Sequence, residues 1–116
     1  TRLPKVNIHE PLKQALLEMS NKGFGMTTVV NDTGTLFGVF TDGDLRRAVD
    51  ANIDINSINV SEATKPGCKS VHQDALAAEA LKIIEDCQIT TLVIEDSDHR
   101  PVGILHLHDI LRAGIL

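Results

Sequence analysis

Gly38-Val39-Phe40-Thr41-Asp42-Gly43-Asp44-Leu45-Arg46-Arg47 reads as a strand that turns directly into a helix. Val39 and Phe40 carry side chains that favour a pleated strand. Thr41 suits an N-cap, because its side-chain oxygen can accept from a backbone N–H that the first helical turn leaves unpaired. Asp42 and Asp44 then fall in that first turn, where negative charge complements the helix dipole. A helix start of this kind can also hold an anion. The Thr41 hydroxyl can donate to a phosphate, the Asp44 carboxylate can accept from the vicinal hydroxyls of a ribose, and Arg46 and Arg47 lie within a turn to pair with a phosphate. The competing reading is a capped surface helix with ordinary charged residues.

Working outward, the same order of elements occurs twice. Upstream, Val6 to Ile8 is a short extended segment, and Pro11 takes a first helical position. Leu12, Ala15, Leu16 and Met19 follow at helical spacing and define one apolar face, which Gly23 terminates. Met26 to Val30 is a β-rich run, Asn31-Asp32-Thr33-Gly34 a turn suited to positive φ, and Leu36 to Phe40 the return strand. Downstream, Asp74 is expected to cap a helix carrying Leu76, Ala77, Ala80, Leu81 and Ile84. Thr91 to Ile94, Asp96 to His99 and Val102 to Leu105 then read as strand, turn and strand, with a last helix from about Leu107 to Ala113. Aligning the chain with itself at an offset of 64 brings Leu12 onto Leu76 and Thr27 onto Thr91. An extra residue in the second turn is expected to move the offset to 65, bringing Gly38 onto Gly103, Asp44 onto Asp109 and Arg47 onto Arg112.

These readings predict an α+β fold of two β-α-β-β-α repeats. Repeat 1 spans 1–50 and repeat 2 spans 64–116. Residues 51–63 are polar and mixed and read as a linker, with one helical turn near Ser61-Glu62-Ala63. A unit of about 45 residues cannot bury a sheet face alone. The two repeats are therefore expected to pack sheet to sheet with pseudo-twofold symmetry around one core, leaving clefts between them as ligand sites.

Composition excludes several classes. The 116 residues are 42% hydrophobic, enough for a core, but only 3% aromatic. Three Phe with no Trp or Tyr make a poor stacking surface for single-stranded nucleic acid, and a net charge of −5 opposes a phosphate backbone. No apolar run approaches the roughly 20 residues of a membrane span. Cys68 and Cys87 form no CxxC pair and read as small buried hydrophobes in a reducing, cytoplasmic setting. His106 and His108 alternate and could point the same way from an extended segment. Zinc wants three or four ligands, and spacing places no partner for them, so no metal site is expected. No nucleophile–base spacing appears, and Glu95, Asp96 and Asp98 read as a solvated turn, so no catalytic residue is assigned. The chain opens at Thr1 without a Met and reads as a piece of a longer protein.

The G-x-x-T-x-x-D pattern from Gly38 to Asp44, in a twice-repeated β-α-β-β-α unit, resembles the CBS domain family. Its tandem pairs (Bateman modules) bind adenine nucleotides or related ligands. The resemblance implies Thr41 as a phosphate contact, Asp44 as a ribose contact and Asp109 as the ribose contact of a second site. His106 stands where the second repeat should carry threonine. Met26 and Thr27, matched to Thr90 and Thr91, would line base pockets; Leu3 and Pro4, and Lys65 and Pro66, match the strands leading into each repeat. Phe40 to Arg47, with the ending Leu105-His106-Leu107-His108-Asp109-Ile110-Leu111-Arg112-Ala113-Gly114, is similar to the C-terminal half of bacterial arabinose-5-phosphate isomerases. That likeness implies a parent with an N-terminal SIS catalytic domain that interconverts ribulose 5-phosphate and arabinose 5-phosphate on the way to Kdo and lipopolysaccharide or capsule. This chain would be its non-catalytic regulatory part, a homodimer of CBS pairs within a homotetramer, with no nucleic-acid or membrane partner. It would require no cofactor but bind AMP, ADP, ATP or CMP-Kdo, the sugar acid of the last facing the arginines or His106 and His108. The alternatives are a ligand-free oligomerisation module, or the CBS pair of a sugar nucleotidyltransferase.

Overall fold

A computed structural model of the chain describes residues 3–22, 25–67 and 70–112. The chain divides into two units, Thr1–Cys68 and Lys69–Leu116. The first carries β1 (Lys5–Asn7), α1 (Leu12–Lys22), β2 (Met26–Val30), β3 (Leu36–Thr41), α2 (Asp42–Asp50) and a short α3 (Val60–Ala63). The second carries β4 (Ser70–His72), α4 (Ala77–Cys87), β5 (Thr91–Glu95), β6 (Pro101–His106) and α5 (Leu107–Arg112). The expected α+β class and the doubled element order are both present.

Each unit holds a three-stranded sheet, β1-β2-β3 in one and β4-β5-β6 in the other. The first two strands of each run parallel and the last two antiparallel. Parallel neighbours require a crossover, which α1 and α4 supply; a hairpin suffices for the antiparallel pair. In the first unit α1 buries Leu12, Ala15 and Met19 at helical spacing against Val6, Val29, Phe40, Ala48 and Val60. Phe40 is fully buried and is the largest side chain of that core. The second core is Val71, Ala80, Ile84, Leu92 and Ile110. Three buried threonines satisfy their own hydroxyls: Thr28 donates to the Pro4 carbonyl at 2.7 Å, Thr64 to the Val60 carbonyl at 2.7 Å and Thr27 to the Thr28 carbonyl at 3.2 Å. Without those bonds each hydroxyl would carry a desolvation cost.

The strand registers correct the repeat alignment. Met26 faces Thr41 as Thr91 faces His106, and Lys5 faces Thr28 as Ser70 faces Val93. The offset is thus 65 from the first strand onward, with no extra residue in the second turn. Thr91 is the counterpart of Met26, and Thr90 that of Gly25. The two turns match as well: Asn31 N–H donates to the Thr35 carbonyl, and Asp96 N–H to the Arg100 carbonyl. Gly34 and His99 occupy the same left-handed position, with φ of 89° and 62°. Identity counting misplaced the first half because Leu and Thr recur on adjacent positions there.

Other expectations shift. Asp74 does not cap α4; Leu76 is the N-cap residue, without a side-chain bond, and is 75% exposed rather than part of the apolar face. Asp74 instead donates its N–H to His72 Nδ1 at 3.1 Å. Pro11 precedes the first helical residue, pairing with Asn59 in an isolated bridge. Gly23, Cys68 and Ala113 lie outside the described residues.

The stretch read as a linker runs along the first unit. Leu12 N–H donates to the Ile58 carbonyl at 2.8 Å, Lys13 N–H to Ile55 at 3.0 Å and Val60 N–H to Glu10 at 2.8 Å. Ile53, Ile55 and Ile58 pack against the core that fully buries Val60. Those apolar residues are spaced among Asn, Asp and Ser, which disguised them in sequence. The chain then passes β3: Pro66 bridges Gly38, and Gly67 N–H donates to the Phe37 carbonyl at 3.1 Å.

That passage makes Gly38 and Gly103 unequal. A Cβ on Gly38 would lie 2.5 Å from the Lys65 carbonyl oxygen and 3.0 Å from Thr64 Cγ2, whereas one on Gly103 would meet Ile94 Cδ1 at an ordinary 3.5 Å. Gly38→Ala should cost about 1–3 kcal/mol through overpacking, and Gly103→Ala should stay within about 0.5 kcal/mol of the parent. Urea midpoints at unchanged m check this, and equal effects would refute the asymmetry.

Acid sensitivity follows from the turns. Asp32 is held below the ordinary carboxylate value by hydrogen bonds from the Asn7 and His9 side chains. The Ser57 hydroxyl, then the Asn56 N–H, lowers Asp54, and the Arg100 and Asp98 N–H groups lower Asp96. Each bond favours the charged form only in the folded chain. The stability they lend is full above the unfolded carboxyl pKa and is lost as pH falls through the depressed folded values, below about pH 4. Melting temperature measured against pH should show this acid limb, made shallower by combined Asp32→Asn and Asp96→Asn; an identical limb in that variant would exclude these groups as its source.

Candidate functional site

In the first unit the end of β3 and the start of α2 share one residue. Thr41 is the last strand residue and the N-cap, with φ −119° and ψ 170°. Its hydroxyl accepts from the Asp44 N–H at 3.2 Å. In return one Asp44 oxygen, Oδ2, accepts from the Thr41 N–H at 2.8 Å and the Thr41 hydroxyl at 3.0 Å. This is a capping box with the shorter aspartate at its third position. The other carboxylate oxygen, Oδ1, accepts from Arg47 Nη2, one turn along the helix. Gly43 lies between them; a Cβ there would meet Arg47 Nη1 at an ordinary 3.7 Å, so the guanidinium lies over the helix start within van der Waals reach of this residue. β2 completes the corner, with Met26 paired to Thr41 and the Gly25 carbonyl accepting from the Asp42 N–H at 3.1 Å.

The structure thus brings Thr41, Asp44 and Arg47 together, with Met26 alongside. Arg46 is exposed on α2, and Met26 and Thr27 are buried. Pro4 is buried and its carbonyl receives both the N–H and the hydroxyl of Thr28; Leu3 is half-buried. Lys65 and Pro66 are exposed where the chain passes Gly38, three residues before Thr41. The Asp44–Arg47 pairing had no place in the sequence reading, although acid and base three apart within a helix are neighbours.

The second unit repeats the corner with different groups. The Thr90 carbonyl accepts from the Leu107 N–H at 2.8 Å, as Gly25 does from Asp42, and Thr91 pairs with His106. Asp109 is paired with Arg112 at 3.2 Å. His106 fills the threonine position, and its Nδ1 accepts from the His108 N–H at 3.2 Å, which puts the ring proton of the neutral form on Nε2. The helix begins at Leu107, as its sequence predicts, so His106 and His108 do not share the extended segment from which alternate side chains could point the same way. Among the described residues no group of three or more His, Cys, Asp or Glu is placed to hold a metal ion. No helix among them is long and apolar enough to cross a membrane.

Comparison with known proteins bears on both corners at once. The chain is 50% identical over 114 residues to the arabinose 5-phosphate isomerase KdsD of Pseudomonas aeruginosa, covering 98% of this chain and 35% of that protein. It therefore spans about a third of the length of the curated relatives it matches. Among solved structures, a CBS domain protein of Pyrobaculum aerophilum complexed with AMP superposes with a TM-score of 0.85 at 15% identity, over all of this chain and 95% of that one. Hypoxic Response Protein I, solved with two coordinated zinc ions, superposes with a TM-score of 0.83 at 27% identity, over 97% of this chain and 89% of that one. The CBS domain description matches residues 1–51 and 60–115, each span containing one β-α-β-β-α unit and its strand-to-helix corner. With the unit present twice and matched both times, this chain belongs to the CBS domain family.

Proposed function

We propose that this chain is the ligand-sensing regulatory part of an arabinose 5-phosphate isomerase, and that its strand-to-helix corners recognise a nucleotide. The observation that carries the first half is the 50% identity to the KdsD isomerase along 98% of the chain. The second half rests on the corner itself. A helix start presenting backbone N–H groups, a threonine hydroxyl, a carboxylate and an arginine has one group for each part of a ribose phosphate. A neighbour of the same fold carries AMP. In the first unit Thr41 takes the phosphate and Asp44 the ribose diol, with Arg46 and Arg47 adding charge. Met26, Thr27, Leu3, Pro4, Lys65 and Pro66 contribute the surroundings of the base. In the second unit Asp109 takes the ribose, with His106 and His108 nearby in sequence and Thr90 and Thr91 brought to the same corner by strand pairing. Replacement of threonine by His106 favours a ligand other than a plain adenine nucleotide at that corner, for which CMP-Kdo, with its sugar acid, is suited. The parent acts in the cytoplasm through a SIS catalytic domain, with the CBS parts associated as a homodimer within a tetramer. Ligand binding reaches that domain only through a difference in affinity between two states of the protein.

One observation favours the second reading, an oligomerisation module without ligand: the polar groups of Thr41 and Asp44 already satisfy one another. Thermal melts with AMP, ADP, ATP, CMP and CMP-Kdo separate the two. A ligand at about 100 times its Kd adds roughly 2.7 kcal/mol, a rise of several degrees for a chain of this size. The rise should disappear in Asp44→Ala for the first corner or Asp109→Ala for the second. A flat response across the panel would establish the module without ligand instead.

A further inference from the structure

Asp44 meets no ligand as an open acceptor. Oδ2 is filled by the Thr41 N–H and hydroxyl, and Oδ1 is covered by Arg47. Without a ligand the Thr41 hydroxyl proton is likewise directed at Asp44, and it turns to the phosphate only when one is bound. The Asp44 side chain is 14% exposed, whereas that of Arg47 is 66% exposed. The carboxylate is therefore fixed and the arginine is the part able to leave. The pairing recurs at the same place in the second unit, between Asp109 and Arg112.

We infer that Arg47 occupies the ribose position of the first corner until a phosphate draws it away, and so selects phosphorylated ligands over their nucleosides. The inference rests on the nucleotide reading above. A ligand with both a phosphate and a vicinal diol exchanges one ion pair for another: the guanidinium leaves Asp44 Oδ1 for the phosphate, and the diol donates to Oδ1 in its place. A nucleoside must displace the guanidinium with nothing to receive it. A planar guanidinium suits both partners, because it donates in parallel to a carboxylate or to a phosphate. The guanidinium lies over the helix start beside Gly43, where a Cβ would meet Arg47 Nη1 at an ordinary 3.7 Å. His108 holds that position in the second unit.

The test is calorimetric titration of the 116-residue chain with AMP and adenosine, and with CMP and cytidine, in the parent, Arg47→Ala and Arg47→Lys. Circular dichroism melts without ligand check that each variant folds, and Arg47→Lys carries the test if Arg47→Ala does not. In Arg47→Ala the nucleotide should bind about tenfold or more weakly, having lost a charge-assisted partner. The nucleoside should bind about twofold to fivefold more tightly, having lost an exposed competitor. Arg47→Lys keeps the charge without the fork and should fall between. Equal weakening of nucleotide and nucleoside, or no change in either, would overturn the exchange while leaving the nucleotide reading intact. If the parent binds none of the four, this inference fails; the nucleotide reading fails with it only if ADP, ATP and CMP-Kdo also leave the melting temperature unchanged.

Discussion

β3 becomes α2 within a single residue, and the Thr41–Asp44 capping box makes that turn affordable. A helix start leaves four N–H groups without intrahelical partners. Here the Thr41 hydroxyl takes one, the Gly25 carbonyl takes the N–H of Asp42, and Asp44 reaches back to the N–H of Thr41 itself. The corner is thereby tied to β2 as well as to β3. Once it is set, α2 leaves the sheet in one direction, Ala48 enters the core beneath Phe40, and the polar groups of the first turn stay together at the sheet's end. The fold and the site are consequences of the same bonds, which is why the groups suited to a ligand are also those that close the helix.

The two units share a backbone plan but differ in what they hang on it. At each position of the corner the offset of 65 makes one residue the counterpart of another: Thr41 corresponds to His106, Gly43 to His108, Asp44 to Asp109 and Arg47 to Arg112. The acid–base pair survives in both, while the cap and the small residue do not. A hydroxyl that both donates and accepts gives way to a ring nitrogen that accepts only from the His108 N–H. The first unit is also the more enclosed. Residues 53–60 close its core and residues 65–67 pass its last strand, so Gly38 must be glycine where Gly103 has space.

Much of this was written locally and could be read so. Helical spacing of Leu12, Ala15 and Met19, the alternation of β-rich runs with turn residues, and threonine followed by acids after Phe40 all reflect interactions between residues a few positions apart. Element order, fold class and the site corner follow from them. Misreadings fell where backbone conformation sets a helix start, or where the deciding partner is distant. Asp74 looked like a cap, but the backbone enters α4 two residues later and Asp74 bonds His72 instead. Residues 51–63 looked like a linker because isoleucines scattered among polar residues show no period; only the backbone of α1 and the core it covers reveal them as buried.

By itself the sequence determined that the chain is a doubled β-α-β-β-α unit with a polar corner in each copy, because caps, turns and apolar spacing act over one or two helical turns. Only the tertiary structure decided the register of the repeat and the enclosure of Gly38. Strand pairing fixes the offset by hydrogen bonds between residues far apart in the chain. Gly38 is crowded by a backbone 27 residues further on (Gly38 to Lys65). The covering of Asp44 by Arg47 is local by comparison, an acid and a base three apart on α2.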